Sequence, residues 1–228
     1  MGSFDRVGNH YWATRRVTWP VRKLWLDVEL IKPENVPRDG PVILAANHLS
    51  FLDSPLLMFS LPRQVSILGK AEYLDSRWTR WLFPASGMIP VDRSGRGLVE
   101  SMRHAEARLA DGEIVGIFPE GTRSRSGGLH RGHPGVAHLA LHSGAPIVPV
   151  GVTGTDCVQP PGARMPRRGK VQLRFGSPID LGRWAGRAPT SGVKREIADA
   201  VMVSIRALTG QSYVDEFAAI PQEPVTAQ

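Results

Sequence analysis

Several things are scarce in this sequence, and each shortage narrows what the protein can be. One cysteine, Cys157, occurs in 228 residues, so no internal disulfide and no cysteine-based zinc site can form, as suits a reducing cytoplasm. No apolar run approaches the roughly 20 residues that a membrane span needs. No cationic start with an apolar stretch behind it marks a signal peptide. The opening Met-Gly-Ser has Arg6 where a myristoylation signal requires Ser or Thr. Neither Gly-x-x-x-x-Gly-Lys-Ser/Thr nor a Gly-x-Gly-x-x-Gly after a strand is found, so nucleotide binding of those kinds is not indicated. Acidic residues are the minority, 21 against 28 basic ones for a net charge of +7. That balance points to anionic partners: nucleic acid, phosphorylated substrates or an anionic lipid surface.

What is present is globular. Hydrophobic content of 42% with 24 Gly and 19 Pro describes a folded, loop-rich chain of a length that suits one domain. Apolar runs with strand character alternate with helical periods, and no repeat or linker interrupts them. The expected fold is therefore α/β: a single domain with a largely parallel central sheet covered by helices on both faces. Strands are expected at 26–31, 42–46, 65–69, 87–91, 114–118, 146–150 and 171–175. Helices are expected from Asp53 to about Leu61, over 95–110, from Pro134 to about His142, and over 190–208.

One stretch organises the rest. Val42-Ile43-Leu44-Ala45-Ala46 reads as a buried strand, and Asn47-His48-Leu49-Ser50-Phe51-Leu52-Asp53 follows it directly. Asp53-Ser54-Pro55 then carries the start signal of a helix. His48 and Asp53 thus bracket a strand-to-helix turn, at the end of a strand where open α/β sheets bind ligands. A carboxylate that holds one imidazole nitrogen protonated leaves the other free as a general base. The plainer reading is a loop histidine beside a helix cap.

Two segments combine aromatics with cations. Residues 9–25 hold Trp12, Trp19 and Trp25 among Arg15, Arg16, Arg22 and Lys23, with Val17, Val21, Leu24 and Val28 at helical spacing. That is the make-up of an amphipathic helix lying in a headgroup layer, or of a helix packed on the sheet. Residues 70–83, with Tyr73, Trp78, Trp81 and Phe83, suit core packing and a lipid-facing role equally.

Chemistry-bearing residues follow three strands: Asn47 to Asp53, Val91 to Arg93, and Pro119 to Ser124. Parallel strands would open all three loops at one edge. Arg93 and Arg123, with Thr122 and the backbone around Gly121, have the make-up of a phosphate site.

At this point the sequence resembles a family. His48-x-x-x-x-Asp53 is similar to the signature of the glycerolipid acyltransferases. Gly87 to Arg93 resembles their second motif, although Pro90 and Val91 stand where Phe and Ile are common. Phe118-Pro119-Glu120-Gly121-Thr122-Arg123-Ser124 matches the third motif residue for residue, and Ile147-Val148-Pro149-Val150 the fourth. The subgroup it most resembles acylates 1-acyl-sn-glycerol 3-phosphate to phosphatidic acid. The resemblance implies that His48 deprotonates the acceptor hydroxyl, which attacks the thioester of acyl-CoA or acyl carrier protein, while Asp53 orients the imidazole. Arg93, Glu120, Gly121, Thr122 and Arg123 would form the substrate site. Glu120, itself an anion, would fix an arginine or the loop. His130, Arg131 and His133 stand where the family often has Lys or Arg, which bears on headgroup preference.

The implied plan is a membrane-surface helix over 1–25, an acyltransferase domain over 26–210 and a tail over 211–228. The implied location is peripheral, on the cytoplasmic side of the cell membrane. Beyond the thioester co-substrate, no cofactor is expected. Three rivals stand beside this reading. His138 and His142 share a helix face, but no carboxylate or cysteine nearby completes a metal site. The basic loop Arg164 to Arg168 suits nucleic acid, yet no nucleic-acid motif is present and His48 and Asp53 would go unexplained. The same reaction on another lysolipid, an acylated amino acid or a glycolipid is the closest rival.

Overall fold

The computed structural model describes residues 26–70, 88–91, 95–160, 162–163 and 165–219. The expected helix over 1–25, nearly all of the aromatic segment 70–83, Arg93, Arg164 and the end of the chain lie outside these residues. Seven strands form one sheet: β1 (Leu26–Ile31), β2 (Val42–Ala46), β3 (Val65–Lys70), β4 (Ile89–Val91), β5 (Ile114–Ile117), β7 (Ile147–Thr153) and β8 (Gly169–Phe175). Their order is β1-β8-β7-β2-β5-β3-β4. Every pairing is parallel except β7 with β8. The fold is thus the expected α/β domain with a mostly parallel sheet.

β2 sits between β5 and β7, and all five of its residues are buried. An unbroken apolar run suits that place because both faces of the strand are covered. Side chains alternate between the faces. Val42, Leu44 and Ala46 join one core, with Leu56, Leu57 and Met58 of α1 (Asp53–Met58). Ile43 and Ala45 join the other core. Helices α2 (Gly95–Ala110), α3 (Gly135–Ser143) and α5 (Ser191–Thr209) cover this second face through Leu109, Leu139 and Ile197, among others. The first face carries α1 and the four-residue α4 (Thr155–Val158).

Helices and strands fall close to their expected places, with differences that have local causes. α1 ends at Met58, not near Leu61. Pro62 disfavours a helical Leu61, and Ser60 Oγ donates to the Leu57 carbonyl at 2.7 Å, closing the turn. Leu98 of α2 is 49% exposed, while Ala105 and Leu109 further along the expected apolar face are buried.

The stretch beyond residue 210 differs most. Gly210 ends α5 in a left-handed conformation. Tyr213–Phe217 then forms β9, paired in parallel with β6 (Leu129–Arg131). Residues 211–217 therefore belong to the folded domain and are not a tail. Among the described residues, no helix is long and apolar enough to cross a membrane.

Candidate active site

β2 and β5 are parallel neighbours with Ala45 opposite Ile117, so the loops that leave them meet at one edge of the sheet. The Ser124 N–H donates to the His48 carbonyl at 2.7 Å, tying one loop to the other. Asp53 is fully buried at the first turn of α1. Its Oδ2 lies 2.8 Å from His48 Nδ1 and accepts the backbone N–H groups of Leu49 at 2.6 Å and Ser50 at 2.7 Å. Three donors on Oδ2 offset part of the cost of taking the carboxylate out of water, while Oδ1 is buried with no hydrogen-bond partner among the described residues. A carboxylate only accepts, so Nδ1 carries the imidazole proton and Nε2 keeps its lone pair. The His48 side chain stays 16% exposed. Its ring stacks on Phe118 with centroids 4.0 Å apart and planes at 15°. The imidazole is thereby fixed in tautomer by Asp53 and in plane by Phe118.

Glu120 is fully buried as well. Its Oε1 accepts the His48 N–H and its Oε2 accepts the His130 N–H, each at 3.0 Å. Of the two tasks that the sequence suggested, the carboxylate performs the second, holding loops together. Burial pushes its pKa up to about 7, against the two backbone donors that lower it and with Asp53 adding to the rise. Gly121 turns the chain at φ +72°, and a Cβ there would stand 3.0 Å from the His133 ring. Thr122 and Ser124 are buried, and Arg123 between them is exposed. Arg123 forms no ion pair with a described residue.

A family model described as Acyltransferase matches residues 27–153. This chain belongs to the acyltransferase family. It is 32% identical over 154 residues to the 1-acyl-sn-glycerol-3-phosphate acyltransferase of Bacillus subtilis, covering 67% of this chain and 73% of that one. It is 29% identical over 170 residues to the chloroplastic enzyme of that name, BAT2, from Brassica napus. There the match covers 70% of this chain and 49% of the relative, so the chain spans about half the length of that protein. The fold is similar to the crystal structure of the 1-acyl-sn-glycerophosphate (LPA) acyltransferase PlsC from Thermotoga maritima. The TM-score is 0.68 at 25% identity, over 91% of this chain and 82% of that one.

In this acyltransferase the structure brings His48, Asp53, Glu120, Gly121, Thr122 and Arg123 to one sheet edge. Val91 ends β4 in parallel register with β3, and Arg93 two residues later is outside the described chain. Several supporting contacts were invisible as such in the sequence. Asn47 is fully buried, and its side chain trades hydrogen bonds with the backbone of Val152, donating to the carbonyl at 2.8 Å and accepting the N–H at 2.7 Å. Asn47 also donates to Gln211 Oε1 at 3.0 Å, and Gln211 Nε2 donates to the Gly127 carbonyl at 2.8 Å. Phe118 stood inside a recognised motif, but only the fold reveals its stacking. His133 stacks on Phe217 with centroids 4.5 Å apart, and the Arg131 guanidinium lies 5.6 Å from the same ring. These two residues of the basic trio are thus anchored by β9.

One reading from the sequence is corrected here. His138 and His142 do have a carboxylate beside them: Glu106 of α2, whose Oε1 is 3.0 Å from His138 Nε2. It lies 32 positions away in the chain, and only the packing of α2 on α3 brings it close.

Proposed function

We propose that this acyltransferase transfers an acyl chain from an acyl thioester, acyl-CoA or acyl carrier protein, to the free hydroxyl of 1-acyl-sn-glycerol 3-phosphate, giving phosphatidic acid. The observation that carries the reading is the His48–Asp53 pair at the carboxyl end of β2, with Arg123 exposed on the loop that follows β5. The names of the relatives agree with it.

His48 Nε2 takes the proton of the acceptor hydroxyl as that oxygen attacks the thioester carbonyl. The imidazolium that forms is stabilised by Asp53 Oδ2, as in a triad without its serine. The tetrahedral intermediate collapses by expelling the thiolate, which recovers the proton from His48. No covalent acyl-enzyme is needed, and the base returns to its starting state. Glu120 keeps the backbone at His48 and at His130 in place, so it serves as a positioning residue. Arg93 and Arg123, with the backbone around Gly121 and Thr122, hold the acceptor phosphate. Residues 1–25 rest on the anionic membrane surface that supplies the lipid, in keeping with their tryptophans and cations.

The test is a comparison of acceptors. A charged hydrogen bond contributes about 1.5–3 kcal/mol, so Arg123→Ala should lower kcat/KM for lysophosphatidic acid roughly 10- to 150-fold. The use of monoacylglycerol, which lacks the phosphate, should change far less. A wild-type enzyme that uses both acceptors equally well, or a variant that loses both equally, would show that this arginine does not read a phosphate.

A further inference from the structure

Helices α2 and α3 carry a second cluster that acyl transfer does not use. His138 and His142 stand one turn apart on α3, with ring centroids 4.0 Å apart. Glu106 meets them from α2 at 3.0 Å from His138 Nε2. One ligand atom from each of the three lies within 4.8 Å of the others. The tautomer of His142 is settled by its neighbour. Its Nδ1 is 2.9 Å from the His138 carbonyl oxygen, which can only accept. Neutral His142 therefore holds its proton on Nδ1 and offers Nε2 as a lone pair. A ring nitrogen bonded to a carbonyl, with the opposite nitrogen free, is the support that metal-binding histidines use.

We propose that Glu106, His138 and His142 form a binding site for one divalent transition-metal ion, with zinc as the best match, on the outer side of the helical layer. Two imidazoles and one carboxylate suit zinc far better than magnesium or calcium, which take oxygen ligands. Tetrahedral zinc would bring the ligand atoms to roughly 3.4 Å from one another. His142 is exposed and Glu106 is partly so, and rotations of their side chains close the set. Water fills the remaining position, and the ion clamps α2 to α3.

The cluster also contains an opponent. Lys194 of α5 places Nζ 3.3 Å from His138 Nδ1. An ammonium only donates, so in the metal-free protein Nδ1 accepts and Nε2–H faces Glu106. When the ion takes Nε2, that proton moves to Nδ1 and Lys194 must swing away. Lys194 thus resists the ion by its charge and by its hydrogen bond. This site is independent of the acyl acceptor and of the roles given to His48 and Asp53.

The experiment titrates the untagged full chain with zinc against a chromophoric chelator, with magnesium in a parallel titration. One zinc should bind and magnesium should not. His142→Ala removes an exposed ligand without touching the core, and it should weaken zinc binding at least about 10-fold. Lys194→Met should tighten it several-fold. Zinc affinity unchanged in a folded His142→Ala protein, as judged by circular dichroism, overturns the site, and so does a Lys194→Met variant that binds zinc more weakly.

Discussion

Two histidine–carboxylate pairs stand in this molecule at nearly the same separation, His48–Asp53 at 2.8 Å and His138–Glu106 at 3.0 Å. Almost everything else about them differs. Asp53 is fully buried and spends one oxygen on the imidazole and two backbone N–H groups. Glu106 is 31% exposed and bonds across two helices. The His48 ring is held through Nδ1 and stacked on Phe118. The His138 ring is contacted on both nitrogens, by Glu106 and Lys194. Distance alone therefore does not make a general base. The proposed base, His48, has what His138 lacks: a carboxylate held by two backbone N–H groups, a ring with one nitrogen left over, and a place at the carboxyl edge of the sheet.

The strongest way to break this comparison is to remove each histidine. His48→Ala should lower turnover by about 10²- to 10⁴-fold, the usual worth of a positioned base, with the fold intact. Asp53→Asn should lower it less, because an amide oxygen in the place of Oδ2 still accepts Nδ1–H and keeps the tautomer, while the imidazolium loses its negative partner. Steady-state rates on folded protein check both, and a near-normal His48→Ala enzyme would end the proposal for the first pair.

Glu120 sharpens the comparison by its buried charge. Its pKa rises from 4.5 to about 7, chiefly through burial, so the folded state holds this proton more tightly than the unfolded state does. Stability from this group is complete below pH 4.5, is lost as pH rises toward 7, and changes little beyond. The steepest part of the loss is at most about 1.4 kcal/mol per pH unit. Urea unfolding across this range should show that slope in the wild type and not in Glu120→Gln. Equal slopes in the two proteins would mean that Glu120 is ionised throughout.

The smallest effect belongs to the second pair. His138→Ala should cost no more than about 1 kcal/mol of stability, as for a partly exposed ion pair. Its turnover, measured with a chelator present, should follow the folded fraction alone. A catalytic loss beyond that fraction would put His138 in contact with the chemistry and dissolve the distinction.

What the sequence determined by itself was local. The apolar run at 42–46 dictates a buried central strand, and Asp53 lies close enough in the chain to accept the N–H groups of Leu49 and Ser50 within a single turn. A pattern five residues long closes such a turn with little help from elsewhere. The seven residues from Phe118 to Ser124 likewise carry their own glycine turn. The tertiary structure decided whatever needed strand register or helix packing. It gave Glu120 the backbone of His48 and His130 as partners, set Asn47 against Val152, and brought Gln211 to Asn47 from 164 positions away. It also placed Glu106 beside His138. These contacts join parts of the chain whose local patterns say nothing about one another, and only the order of strands in the sheet and the helices packed on its face bring them within a hydrogen bond.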